Sequence, residues 1–320
     1  MSSLSCISHV KRNDSTERPP APTLYTDVCW CGDRSGSMCS MGQAPMDGGK
    51  NFMKEHKENA KKMKNVIGYH VDFTSFDDEA ETYYDDDATN IKDDDINNAG
   101  EAMSPRGCTK FYDTAIGCIS RQQKRVDAIK EKLTVEQKRL YYENSHLINV
   151  VFATFTDGYD NRSIADAAAL KRAIQKHEDK YGAVCMFLAA NISADKYGEQ
   201  FGFQKNFCMQ MGSDPVSSAN ALRSCSAAMT RAVTQGSQNS QFTPMERELS
   251  LNTNNHQNMF VTPPRVNRVS RNNNIMPILR QAAGPVSPIT VPAVPFNTPL
   301  LNSATPISPI TIPPLPLTTS

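Results

Sequence analysis

Five oxygen-bearing side chains stand at three points where an apolar pattern stops or starts. Asp33, Ser35 and Ser37 follow the run Leu24–Gly32 in the order Asp33-Arg34-Ser35-Gly36-Ser37. Thr109 lies in Gly107-Cys108-Thr109, ahead of a helical pattern, and Asp157 lies in Thr156-Asp157-Gly158, directly after Leu147–Phe155. Two carboxylates and three hydroxyls are hard donors. Such a set suits Mg²⁺, with Mn²⁺ or Ca²⁺ as alternatives, and fits sulfur-loving Zn²⁺ poorly. Ser35 and Ser37 are two apart, so both hydroxyls can face one ion while Gly36 lets the backbone turn. The six His are dispersed and none pairs at metal spacing.

The elements that would carry these residues alternate in type. Leu24–Gly32 reads as a strand ending at Asp33, and Pro45 suits a first helical position, followed by Phe52, His56, Ala60 and Met63 on one helical face. Ile67, Tyr69, Val71 and Phe73 alternate with polar residues, predicting a half-exposed strand. Phe76-Asp77-Asp78 then turns into a short strand near 80–84. Helical spacing recurs from Phe111 to Leu133 and at Ile164–Ile174 with Ser163 as its expected cap, and Val216–Val233, rich in Ala and Ser, reads as a further helix. Leu147–Phe155 and Ala183–Ala190 are almost continuously apolar, as expected of parallel strands covered on both faces, and Asn206–Met211 reads as the last strand. Together these predict an α/β fold: a doubly wound, mostly parallel sheet with one antiparallel edge strand and helices on both faces. In such sheets ligands bind beyond the carboxyl ends of the strands, where the five residues fall.

The motifs resemble those of von Willebrand factor A (vWA) domains. Asp33-Arg34-Ser35-Gly36-Ser37 looks like their D-x-S-x-S, Gly107–Ala115 resembles a G-G-T-x-L-Y-D-A-type segment, and Thr156-Asp157-Gly158 is similar to their T-D-G. The resemblance covers roughly residues 24–210. Phe187-Leu188-Ala189-Ala190-Asn191 also resembles an F-L-G-A-N stretch of compact stand-alone vWA proteins of phages and large DNA viruses. The resemblance implies a complete metal-ion-dependent adhesion site. Ser35, Ser37 and Thr109 would then hold the ion directly, with Asp33 and Asp157 acting mostly through water. Two positions depart from the pattern. Gly32 replaces an apolar strand residue, suggesting a looser strand end, and Cys108 replaces a Gly beside Thr109.

The function implied is a divalent-cation-dependent protein-binding module, not an enzyme, whose partner presents an Asp or Glu carboxylate to the ion. The alternative is a Mg²⁺-dependent enzyme resembling haloacid-dehalogenase-type phosphatases, with Asp33 as nucleophile. Against it, the general-acid position two residues on is Ser35, and no phosphate-neutralising Lys presents itself.

Composition bounds the rest. Lys+Arg and Asp+Glu balance at 34 each, which argues against a general nucleic-acid binder, and no apolar run approaches the length of a membrane span. The nine Cys are odd in number and include no C-x-x-C, so a reducing compartment is expected, cytoplasmic or otherwise intracellular, in the host cell if the source is viral. Cys29-Trp30-Cys31 reads as buried thiols in a strand rather than a soft-metal pair. The stretch 77–95 holds ten acidic residues but lacks the Gly and closing Glu of an EF-hand, so it reads as a solvated edge and loop. Gly48-Gly49-Lys50-Asn51 lacks P-loop spacing.

Residues 1–22 are expected to form a flexible arm, 23–236 the vWA-like domain, and 237–320 a disordered tail holding 14 of the 20 Pro. Within that tail 285–295, PVSPITVPAVP, repeats as 306–316, PISPITIPPLP. Such a strip favours polyproline II and serves as a spacer or as a docking strip for P-x-x-P-binding modules.

Overall fold

A computed structural model of the chain describes residues 23–63, 67–143, 147–236 and 239–251. The N-terminal arm, both tail repeats and the rest of 252–320 lie outside the described residues.

Six strands form one sheet: β1 (Tyr25–Asp33), β2 (Gly68–Phe76), β3 (Ala80–Asp87), β4 (Ile148–Thr156), β5 (Val184–Ala189) and β6 (Cys208–Gln210). Their order is β3-β2-β1-β4-β5-β6; only the β2–β3 pair is antiparallel, and β3 is the edge strand. The doubly wound sheet expected from the alternating pattern is the one observed. The chain leaves β1 toward β2 and later returns to β1's other side as β4, so strand order reverses between β1 and β4. The carboxyl ends of these two strands deliver Asp33 and Thr156-Asp157 to the same rim.

Helices cover both faces. On one side α1 (Ala44–Lys62), α2 (Asp93–Glu101) and α7 (Pro215–Gln235) pack on Val28, Trp30, Val71, Phe73, Val151 and Phe155. On the other, α3 (Phe111–Lys132), α5 (Ala167–Tyr181) and α6 (Ala194–Phe201) pack on Cys29, Cys31, Phe152, Cys185 and Phe187. Strand alternation decides the split: Trp30 points to the first layer, while its neighbours Cys29 and Cys31 point to the second. No helix among the described residues is long and apolar enough to cross a membrane. Gly48 and Gly49 are buried within α1, an ordinary helix.

Several local expectations are corrected. The polar face of β2 is covered, not half-exposed: Asp72 and Thr74 are fully buried under α3. Arg121 donates to both oxygens of Asp72 at 2.9 and 3.0 Å, and Arg125 pairs with Asp27 at 2.8 Å. These charges are neutralised inside, which is what lets them be buried. The stretch 77–95 is not simply an edge and loop, because β3 runs to Asp87 and α2 starts at Asp93. The α2 start is closed by Asp95, whose carboxylate accepts from Lys92 N at 2.7 Å, and Ile96 and Ala99 are buried. Two further helices form outside the expected set: α4 (Val135–Glu143), and the eight-residue α6, which buries Ala194, Gly198 and Phe201 at helical spacing. The helix expected from Ile164 begins instead at Ala167, capped by Asp166, which accepts from Ala169 N at 2.7 Å, and Ile164 is exposed.

Ordered structure also runs past 236. Phe242 is buried, and α8 (Pro244–Leu249) opens with a capping box between Thr243 and Glu246. Arg231 of α7 holds Glu246 through two contacts of 2.8 and 2.9 Å, and Ser250 Oγ donates to Gln210 O at 2.7 Å. Residues 239–251, expected in the tail, therefore belong with the sheet and α7.

Candidate metal centre

Asp33 closes β1 and is fully buried. Its Oδ1 accepts from Ser35 N at 2.7 Å, and its Oδ2 accepts from the Thr156 hydroxyl of β4 at 2.6 Å. The backbone then turns outward. Ser35 is buried, Ser37 is exposed in the short 3-10 turn Gly36–Met41, and their hydroxyls are 3.1 Å apart. Ser37 Oγ donates to Asp157 Oδ1 at 2.7 Å, closing a chain of contacts from Asp33 through both serines to Asp157. Asp157 Oδ2 is buried without a partner. Four of the five expected residues thus form one connected cluster.

Thr109 lies on a second loop tied to the same rim. Gly36 N donates to Gly107 O at 3.1 Å, and Arg106 N donates to Arg34 O at 2.6 Å. Thr109 and Asn161 exchange hydrogen bonds: Thr109 N donates to Asn161 Oδ1 at 3.0 Å, and Asn161 N donates to Thr109 O at 3.0 Å. Asn161 lies four residues past Asp157, so the loop after β4 carries one site residue and anchors another. That loop also caps α3. Tyr112 N donates to Asp160 Oδ2, Asp113 N donates to Ser163 Oγ, and the Asp113 carboxylate accepts from Ile164 N and Ala165 N. Ser163, expected to cap α5, caps α3 instead.

The electrostatics follow from burial. Desolvation pushes the Asp33 pKa up to about 7; the hydrogen bonds from Thr156 and Ser35 oppose this, and the charge of Asp157 adds to it. Burial also raises the pKa of Asp157, against the Ser37 hydroxyl, its own amide and the nearby Ser35 hydroxyl. Two carboxylates are thus held close together with no ion pair of their own among the described residues, and one buried oxygen lacks a donor. A cation beside the two serine hydroxyls meets all three deficits, and the oxygen-only donor set suits a hard divalent ion.

A third segment was not legible as part of the site. Arg34, between two site residues, is buried, and its Nε donates to Asp77 Oδ2 at 2.9 Å. Arg106, beside the Thr109 loop, donates to the same Asp77 oxygen, and both arginines reach Glu81. Burial pushes the Asp77 pKa up, but the Glu79 amide and the two guanidiniums outweigh it and hold the carboxyl below the usual range.

The two departures from the motif have local reasons. A Cβ on Gly32 would stand 2.7 Å from Trp30 Nε1 and 2.9 Å from the Met103 side chain, so the strand end is tight rather than loose. Cys108 is partly exposed, and Arg162 lies against it. All described cysteines are free, and Cys29 and Cys31 of β1 are buried together with Cys118 of α3. Cys29, Cys118 and Asp72 bring ligand atoms within 4.8 Å of one another, but Arg121 already occupies both Asp72 oxygens and donates to Cys118 Sγ at 3.3 Å.

No family model matches the chain, and no curated protein matches it in sequence. Among solved structures it is similar to proximal thread matrix protein 1 of the mussel byssus, at 16% identity over 65% of this chain and 46% of that one, with a TM-score of 0.40. It is also similar to the vWF domain of the pilus tip protein Mfa5 from Porphyromonas gingivalis (11%, 68% and 99%, TM-score 0.44). A third is the manganese-loaded TRAP protein of Plasmodium vivax (12%, 63% and 73%, TM-score 0.39). The mussel protein also matches in a form with a zinc-occupied MIDAS motif (13%, 67% and 48%, TM-score 0.37). The chain spans about half the length of the mussel protein.

Proposed function

We propose that this chain is a vWA-type, divalent-cation-dependent protein-binding module that works inside a reducing compartment. The observation that carries the reading is Asp157. One of its oxygens is hydrogen-bonded to Ser37, and the other is buried without a donor beside a second desolvated carboxylate, Asp33. Ser35, Ser37 and Thr109 would hold the ion directly, with Asp33 and Asp157 behind them, and Mg²⁺ is the preferred occupant. When bound, the cation supplies a Lewis-acidic position that an Asp or Glu carboxylate of a partner protein can fill. Ser37 is the exposed member of the set and marks where that carboxylate would approach. The Pro-rich tail would serve as a spacer or as a docking strip for a P-x-x-P-binding module.

The phosphatase reading is less favoured. An Asp nucleophile needs a free oxygen facing substrate, whereas Asp33 is fully buried with one oxygen accepting from Ser35 N and the other from Thr156.

The test is capture of partners from the native cell by the wild-type chain and by Asp157→Ala, each with Mg²⁺ and with EDTA. A partner retained only by the wild type with Mg²⁺ supports the reading. A partner set unchanged by chelation and by the substitution contradicts it.

A further inference from the structure

Among the described residues Asp77 hydrogen-bonds to Arg34, Arg106, Glu79 and Lys110 rather than to the five candidate ligands, yet the two loops that carry four of those ligands converge on it. Its carboxylate accepts from Arg34 Nε at 2.9 Å and from Arg106 Nε. Arg34 is flanked by Asp33 and Ser35. Arg106 precedes Gly107-Cys108-Thr109, and Lys110 N, on the far side of Thr109, donates to Asp77 O at 2.9 Å. Asp77 therefore grips the Thr109 loop at both ends, by side chain and by backbone. The grip is tightened by Arg34 N donating to Phe76 O and by Gly107, whose φ of +66° and close approach to Asp77 and Asp78 leave no room for a Cβ.

The hub is itself fixed. Glu79 N donates to Asp77 Oδ1 at 3.0 Å, and Asp77 N donates to Glu79 O at 3.0 Å, closing the β2–β3 turn. Asp77 is buried and Arg34 is 2% exposed, so the Arg34–Asp77 pair is shielded from water, whereas Arg106 is 57% exposed. A shielded, multiply bonded pair holds geometry far better than a solvated one.

We propose that Asp77 is the positioning residue of the metal centre, clamping the Asp33–Ser37 loop to the Thr109 loop at the spacing one ion requires. The inference rests on the metal-site reading. Groups that orient first ligands without touching the ion commonly change metal affinity by about 10–100-fold when removed.

The experiment measures Mn²⁺ and Mg²⁺ affinity by calorimetry on the full chain for wild type, Asp77→Asn, Arg106→Gln and Arg106→Lys, with melting temperature in EDTA beside each. Asp77→Asn is expected to weaken binding at least about tenfold. Arg106→Gln removes only the exposed half of the clamp. It should weaken binding severalfold while its melting temperature in EDTA stays at the wild-type value, and Arg106→Lys should recover part of the loss. Arg106→Gln keeps the inference testable where Asp77→Asn fails to fold. Wild-type binding with unchanged affinity in Arg106→Gln and in any folded Asp77→Asn would overturn the clamp alone. Absence of binding in the wild type would overturn the metal site and the clamp together.

Discussion

The hydroxyl of Thr156 donates to Oδ2 of Asp33 at 2.6 Å, joining the last residue of β4 to the last residue of β1 across the point where strand order reverses. Among the described residues no cationic side chain pairs with Asp33, so this hydroxyl and the Ser35 amide are what keep its carboxylate inside. Thr156→Val conserves shape and removes the donor. It is expected to cost about 1–3 kcal/mol of stability and to lower metal affinity. Urea denaturation with and without Mg²⁺ checks both, and a variant as stable as wild type in each condition would show that the contact contributes little.

The loop after β4 holds its shape by capping a helix it does not belong to. Asp160 accepts from Tyr112 N, Arg162 N, Ser163 N and Ser163 Oγ. Asp160→Ala should destabilise by about 1–2 kcal/mol, as loss of a helix cap does. It should also raise amide exchange across 158–166 and weaken metal binding through Asn161 and Thr109. Exchange confined to α3 would detach the loop from the site.

Much of this was legible in the sequence. Leu147–Phe155 and Ala183–Ala190 have the continuous apolar character of covered strands, and the strand pattern alone puts the residues closing β1 and β4 on one rim. What escaped was specified by partners far along the chain. Asp72 and Thr74 read as solvent-facing because the arginines that neutralise Asp72 lie on α3, some fifty residues later. Asp77 was hidden in an acidic run whose other members are mostly exposed, and only burial separates it from Asp78. The α2 helix has three Asp, two Asn and a Gly, a composition that gives no propensity signal, and forms because Ile96 and Ala99 find cover beside α1.

The end of the domain is likewise fixed by partners distant in sequence. Phe242 is buried, Arg231 pairs with Glu246, and Arg247 donates to backbone carbonyls at Cys208 and Asn206. A fragment spanning 23–251 should exceed one spanning 23–236 by about 2–4 kcal/mol, mostly from burial of Phe242. Limited proteolysis should leave Phe242 attached. Equal denaturation midpoints for the two fragments would make α8 a passive attachment.

Acid sensitivity has a separate origin in His177. Burial lowers its pKa to about 4, and Nε2 lies 3.2 Å from Gln122 Oε1. A buried neutral His has a folded pKa below its unfolded value near 6.5, so below that pH the unfolded chain binds more protons. Its contribution is present in full above about pH 6.5 and is lost as pH falls toward about 4. Asp72 and Asp33, raised by burial to about 6 and about 7, act with the opposite sign above their unfolded values, and buried His56, lowered to about 3, acts with the same sign as His177, so the raw curve mixes all four. The stability gap between wild type and His177→Gln isolates the His, and it should shrink or reverse between pH 7 and pH 4.5. A gap independent of pH would mean that His177 is protonated in the folded protein as readily as in the unfolded one.

The central claim is that Asp33, Ser35, Ser37, Thr109 and Asp157 form one cation site. Its most direct test is isothermal titration of Mg²⁺ and Mn²⁺ into wild type, Thr109→Ala and Asp157→Ala, with circular dichroism to confirm that each is folded. The account predicts one ion per chain in the wild type, weaker binding in Thr109→Ala and none in folded Asp157→Ala. The same stoichiometry and affinity in all three proteins would contradict it.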